Sequence, residues 1–293
     1  MQQLLTLSLN GIVLGAVYAA FALALVLIWR STRIVNFAQA PMAMLTTYLA
    51  FVVLDAGLPW WLAFVAALLG GLAIGAVTER LIVRHVEGGP EINAVILTLG
   101  LFIAFTALAG VIFGSDYRSF PTGPFGVRGF RAGDLIIAIT PFQIFSIIAV
   151  MVVLVALVAL FRFTDIGLRM RASAFSQETA RLLGVRVGAM LTLGWALAAM
   201  VGSLAGILIA GGGLVFPHYM DAIVVFGFVA AVLGGLDSPF GAVVGGLILG
   251  MALSFVGGYL NDSYQALTAL VILMLVLTLK PGGLFSTTKA RRV

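Results

Sequence analysis

The sequence predicts an all-α, polytopic helical membrane protein with eight or nine membrane segments, some of them broken or re-entrant. Three observations carry this. Of 293 residues 62% are hydrophobic and 9% charged, whereas a soluble domain carries about 25% charged residues to cover its water-facing surface. Mean hydropathy is +1.19. The few charges fall in short clusters, and nine charge-free intervals lie between them, most of them near the ~17–25 apolar residues that a spanning helix needs.

In chain order, residues 1–29, 34–54, 56–78 and 92–115 each predict a crossing helix, and 135–161 predicts a fifth. Residues 187–220 suffice for one tilted span and an outer loop. The interval 222–236 has 15 residues, short for a complete crossing. It is parted from 238–261 by Gly234-Gly235-Leu236-Asp237-Ser238-Pro239-Phe240-Gly241, a run that breaks a helix. Residues 222–236 therefore form a short span or a re-entrant half-helix, and 263–279 closes the series. Eight glycine pairs spaced i, i+4, among them Gly11/Gly15 and Gly246/Gly250, suit close helix packing in lipid.

Placing 13 of the 16 Lys and Arg on one side orients the chain with that side in the cytoplasm, the N-terminus outside and the C-terminus inside. An odd number of crossings follows, nine or seven plus a re-entrant pair. Residues 1–293 then form one transmembrane domain with an external loop at 115–140, expected to hold turns and a small hairpin, and a cytoplasmic loop at 162–186. No Lys or Arg precedes Arg30, and the first apolar run is too long for a cleavable signal peptide.

Several function classes are excluded cheaply. The chain has no Cys and only two His, His85 and His218, which leaves no thiolate or His-based metal motif. Its two Lys, Lys280 and Lys289, lie outside any Gly-Lys-Ser/Thr run, so no P-loop holds ATP. The basic balance of +5 follows topology rather than nucleic-acid binding. An intramembrane protease would need a Gly-x-Ser-Gly nucleophile and a mid-span His, and has neither. An ion-coupled secondary transporter would place ionisable groups within its spans, which here are nearly free of them. No cofactor and no metal site is expected.

The loop at 162–186 predicts a short amphipathic helix: Leu168, Arg171, Ala172, Phe175, Thr179 and Leu182 recur at helical spacing and Gly184 suits the C′ position. Either it is an interfacial linker, or it is a rigid element that a moving cytoplasmic partner grips. Its runs Gly167-Leu168-Arg169-Met170-Arg171-Ala172 and Ala180-Arg181-Leu182-Leu183-Gly184-Val185 closely resemble the coupling loop of branched-chain amino-acid ABC transporter permeases. The resemblance continues in Asn10-Gly11, Gly15, Tyr18-Ala19 and Leu23, in Asn36-Phe37-Ala38, in Thr98-Leu99-Gly100-Leu101, and from Gly234 through Gly246. Where that family continues Ala-His-Gly-Glu, this chain has Ala38-Gln39-Ala40-Pro41.

The resemblance implies an ABC-importer permease fold of the shorter of two permease types, in a bacterial cytoplasmic (inner) membrane. It implies translocation of branched-chain or other hydrophobic amino acids, with urea or short amides as the alternative substrate class. The implied partners are cytoplasmic ATPase subunits, where ATP hydrolysis would reside, a second permease chain (related or identical), an extracytoplasmic solute-binding protein and membrane lipid. Docking of the ATPase falls to Gly167, Arg169, Arg171, Ala172, Phe175, Glu178, Leu183 and Gly184. Broken helices expose backbone groups to a path, which makes Asn36, Phe37, Gln39, Thr98 and Gly100 the candidates for touching substrate. Asn36 and Gln39 serve equally well as helix caps near the inner headgroups, and Thr98 as a group bonded to its own helix.

Overall fold

A computed structural model describes residues 2–86, 89–126, 129–132, 135–137 and 139–285. Parts of the inner turn (87–88), of the external loop and the whole basic tail 286–293 therefore lie outside the described residues. Eleven α-helices are present among those described: α1 (Gln2–Thr32), α2 (Gln39–Asp55), α3 (Trp60–Leu81), α4 (Glu91–Phe113), α5 (Pro141–Phe163), α6 (Asp165–Phe175), α7 (Gln177–Leu182), α8 (Val187–Ala210), α9 (Asp221–Gly234), α10 (Pro239–Tyr259) and α11 (Gln265–Leu279). Four short strands accompany them: β1 (Arg118–Ser119), β2 (Phe130–Ala132), β3 (Leu135–Ile137) and β4 (Leu214–Val215).

Among the described residues seven helical stretches are long and apolar enough to cross a bilayer, the last being Asp262–Leu279, in which a 3-10 turn leads into α11; α2 and α9, with 17 and 14 residues, are shorter. Counting both, there are nine apolar helices among the described residues, within the eight or nine membrane segments expected. One end gathers ten basic residues, from Arg30 and Arg33 to Lys280, together with α6 and α7. At the opposite end β1 pairs antiparallel with β4, tying the loop after α4 to the loop after α8, while β2 and β3 form the expected hairpin.

The centre of the bundle is α1. Its run from Ala16 to Ala24 is rich in alanine, and such small side chains let neighbours close in from every side. In its most apolar window 89% of residues are buried, against 17% for α4 and α5 and 11% for α11. Helices α1 and α10 meet backbone to backbone. A Cβ on Gly246 would lie 2.5 Å from the Ala19 nitrogen, and one on Gly15 would lie 2.7 Å from Leu247 Cα.

Three boundaries differ from the sequence-based expectation. The interval 135–161 does not start as helix: Leu135–Ile137 is β3, and α5 starts at Pro141 behind a capping box formed by Thr140 and Gln143. Helix α3 runs past residue 78 to Leu81 and so takes in Glu79. The basic loop is two helices rather than one, because Ser176 ends α6 and its side chain accepts from the Thr179 amide to start α7.

Candidate functional site

The break before α2 is built from local bonding. Arg33, at φ 59, ends α1 and turns the chain back into the bundle. Asn36 Oδ1 accepts from the Ala38 amide at 3.0 Å, and Asn36 Nδ2 donates to Gln39 Oε1 at 3.2 Å. Gln39 Nε2 then donates to the Ala198 carbonyl at 3.1 Å. Gly202, one turn on in α8, leaves the room for this, since a Cβ there would collide with the Gln39 amide. Pro41 lies in the first turn of α2, where its missing N–H costs nothing.

Ala198 is the twelfth of the 24 residues of α8, roughly 17 Å along its axis at 1.5 Å per residue. Asn36 and Gln39 therefore sit deep in the bundle, not at the inner headgroups. Both are buried, as is Thr98, whose hydroxyl lies 3.2 Å from the Val35 carbonyl and 3.1 Å from that of Val95. Thr98 thus joins the re-entrant stretch to α4 as well as bonding its own helix. Gly100, two positions on, is rotated about 200° around the helix; it is exposed and open to space. Phe37 is half-buried and stacks on Phe228 of α9 with centroids 6.5 Å apart.

A polar seam continues from Gln39 along α2 and α8, and sequence reasoning missed it. Thr46 donates to Ser203 Oγ at 2.8 Å. Tyr219, in the turn before α9, donates to Thr47 Oγ1 at 2.8 Å and lies 3.2 Å from the Gly206 carbonyl. The available signal was the spacing of Gln39, Thr46 and Thr47 in an otherwise apolar run. Tyr219 gave none. Its bond places the turn before α9 a full helical turn below the end of α8, inside the bundle.

At the basic end, α6 and α7 are fixed to the bundle. Gly167 lies against the backbone of Leu160 and Phe161, closer than any side chain would allow. Ala172 joins Ala180, Val187 and Leu191 in a small apolar cluster. Gly167 and Ala172 are thus spent inward. Arg169, Phe175, Glu178, Leu183 and Gly184 are exposed, Phe175 at 94% and Leu183 at 76%. Gly184 has φ +79 and its amide donates to the Arg181 carbonyl at 3.0 Å, as its C′ role requires. Arg171 is exposed as well and lines a cavity of about 330 Å³ beneath α6.

Two ion pairs brace this end. Glu79, wholly buried, accepts from Arg84 Nε at 3.1 Å and Nη2 at 3.0 Å, and from the Thr192 hydroxyl. Arg84 also donates to the Gly188 carbonyl at 2.9 Å, locking α3 to the start of α8. Asp237 accepts from Arg33 at 2.6 Å and from the Trp29 indole at 3.3 Å, so it holds the α9–α10 turn to the end of α1. Ser238 is the cap of α10. The carbonyls of Leu233 and Gly234 accept from the Leu284 and Phe285 amides, which satisfies the end of α9.

The chain is 27% identical to the high-affinity branched-chain amino acid transport system permease protein LivH of Escherichia coli K12, over 97% of this chain and 96% of that one. It is 26% identical, over the same shares, to the corresponding permease protein BraD of Pseudomonas aeruginosa. A chain of PsaBC from Streptococcus pneumoniae in complex with Fab superposes with a TM-score of 0.47 at 17% identity, covering 96% of this chain and 91% of that one. The family model described as "Branched-chain amino acid transport system / permease component" matches residues 7–279. This multi-pass membrane protein belongs to that permease family.

Proposed function

We propose that the chain is the membrane-spanning subunit of an ATP-binding-cassette importer that moves branched-chain or similarly hydrophobic amino acids. The single observation that carries this is the α6–α7 platform. It is seated on the bundle through Gly167, Ala172 and Ala180, yet presents Phe175, Leu182 and Leu183 to the outside among Arg169, Glu178 and Arg181. A rigid element with an exposed apolar tip suits a moving ATPase, because work is transmitted only through a part that does not yield. The chain's lack of any P-loop sends ATP hydrolysis to that separate subunit.

In this account residues 1–293 are one permease domain, 162–186 couple to the ATPase in the cytoplasm, and 115–140 receive an extracytoplasmic solute-binding protein. The N-terminus is outside and the C-terminus inside, as the positive-inside rule favours. A push on α6 and α7 reaches α8 through the Val187–Leu191 cluster, and α8 holds the re-entrant stretch through the Ala198–Gln39 bond. Asn36, Gln39 and Thr98 are positioning residues for that stretch. Phe37, half-exposed on it, faces the path, which is completed by a second permease chain. Gly100 lies on the outer face of α4. Gln39 is bonded to the backbone on its own chain, so the departure at Ala38-Gln39-Ala40-Pro41 gives no reason to prefer an amide substrate.

Because the chain contains no Cys, single cysteines give unambiguous crosslinks. Phe175→Cys and Leu183→Cys are expected to crosslink to the ATPase in the assembled complex, with a yield that changes on adding ATP. Crosslinks to the ATPase from the opposite end, for example from Tyr117→Cys, with none from α6 or α7, would overturn the assignment.

A further inference from the structure

At the basic end the bundle holds a cluster of arginines in excess of its carboxylates. Arg30, half-buried in the last turn of α1, has its guanidinium over the Phe161 ring at 5.5 Å and makes no hydrogen bond or ion pair among the described residues. Arg162 and Arg171 line the same space. Among the described residues the one carboxylate there, Asp237, is already engaged by Arg33. Three guanidiniums thus face a cavity with one carboxylate, and that carboxylate is shared.

The space has two connected parts. One, of about 330 Å³, lies beneath α6 toward the aqueous side; the other, of about 270 Å³, opens sideways between α5 and the start of α10. Arg30, Phe161, Arg171 and Asp237 line both. The sideways opening is walled by Leu157, Val158, Pro239, Phe240 and Phe285, with Val158 and Phe240 exposed on the outer face of the bundle. An apolar mouth between two apolar helices, leading to a cationic interior, fits one kind of molecule: an acyl chain outside and a phosphate within. The Ser238-capped end of the 21-residue helix α10 borders the same space and adds its positive dipole end. A cytosolic protein segment would meet the aqueous part but has no reason to enter between α5 and α10.

We propose that this cavity is a seat for an anionic phospholipid of the leaflet at the basic end, its phosphodiester between Arg30, Arg162 and Arg171 and an acyl chain along Val158 and Phe240. Arg171 lies on α6, so the lipid would bridge the coupling element to α1 and α5. The assignment depends on the membrane location of the bundle and not on the nature of the transported substrate.

The test is native mass spectrometry of the purified full-length permease equilibrated with phosphatidylglycerol or with phosphatidylcholine. Wild type is expected to retain one phosphatidylglycerol in clear preference to phosphatidylcholine. Arg30→Gln and Arg162→Gln are each expected to lower that retention about fivefold, the effect of one basic residue near an anionic leaflet. Arg162 is exposed with no hydrogen bond among the described residues, so its variant reports on binding without burdening the fold. Arg186→Gln, which removes an exposed charge at the same end but outside the cavity, should retain lipid as wild type does. Equal retention of the two lipids, or unchanged retention in both cavity variants, would overturn the proposal. Displacement by millimolar inorganic phosphate would instead identify a free-anion site, and displacement by an acidic peptide a protein-docking groove; either result also overturns the lipid assignment.

Discussion

Substituting Gly246 by Ala tests the claim that α1 is held by backbone contact with α10. The added Cβ would lie 2.5 Å from the Ala19 nitrogen, 2.6 Å from its Cα and 2.8 Å from its Cβ. Ordinary carbon contacts lie near 3.5–4.0 Å, so the helices must part by about 1 Å. Helix α1 cannot retreat freely, because it is also packed on α5, α8 and α9. Overpacking of this kind costs about 1–3 kcal/mol, and the better helix propensity of Ala returns about 0.5–1 kcal/mol. A net loss of about 1 kcal/mol, and up to about 2.5 kcal/mol, follows. Gly110→Ala in α4 is the control, since a Cβ there meets nothing within 4 Å and only the propensity gain applies. The assay is the fraction of isolated permease that stays monodisperse after heating across a temperature series. Gly246→Ala should melt below wild type and Gly110→Ala at or above it. If Gly246→Ala melts with wild type, or both variants fall equally, the reasoning is wrong.

Other substitutions separate stability from coupling. Glu79→Ala strands Arg84 and should lower stability by about 2–3 kcal/mol, while Glu79→Ala with Arg84→Ala should cost clearly less than the two single changes together, measured as a double-mutant cycle of melting temperatures. Tyr219→Phe removes one interhelical donor and should cost about 0.5–1.5 kcal/mol by the same melting assay. Gly184→Pro cannot adopt φ +79 and loses the bond to Arg181. Substrate uptake should collapse while membrane insertion, read by fractionation, is preserved; normal uptake would contradict the coupling role of α7. Gln39→Ala should loosen the re-entrant stretch by about 1–2 kcal/mol and reduce uptake without reducing ATPase binding in a pull-down.

How much of this was legible in the sequence depends on what each feature requires. Apolar length and charge position suffice to find eight or nine segments and the clustering of basic residues, because lipid excludes charge whatever the tertiary arrangement. The helix-breaking character of Gly234 to Gly241 and the C′ role of Gly184 are local backbone properties, and both are visible. Which helix is central was not, since lipid and protein interior are equally apolar; only the small residues of α1, against the large Ile, Val and Phe of α4 and α5, hinted at it. The depth of Asn36 and Gln39 depends on a partner 159 positions away, the Ala198 carbonyl. Proximity to Arg33 in sequence suggested headgroups, but the positive φ of Arg33 sends the chain back inward. The division of the basic loop at Ser176 was hidden because α6 and α7 together keep a nearly helical spacing of apolar residues. The charge of Glu79 closed the apolar interval at residue 78, and only its pairing with Arg84 and Thr192 lets α3 run on and bury it.

In the function proposed above, energy enters this permease from a separate ATPase through α6 and α7. Leucine uptake into proteoliposomes holding the permease pair, the binding protein and the ATPase tests it directly, run with active ATPase, with a hydrolysis-dead ATPase, and with none. Uptake that requires ATP and active ATPase, and that is lost with Gly184→Pro, is the predicted result. Uptake that persists without the ATPase and follows an imposed ion gradient would contradict it.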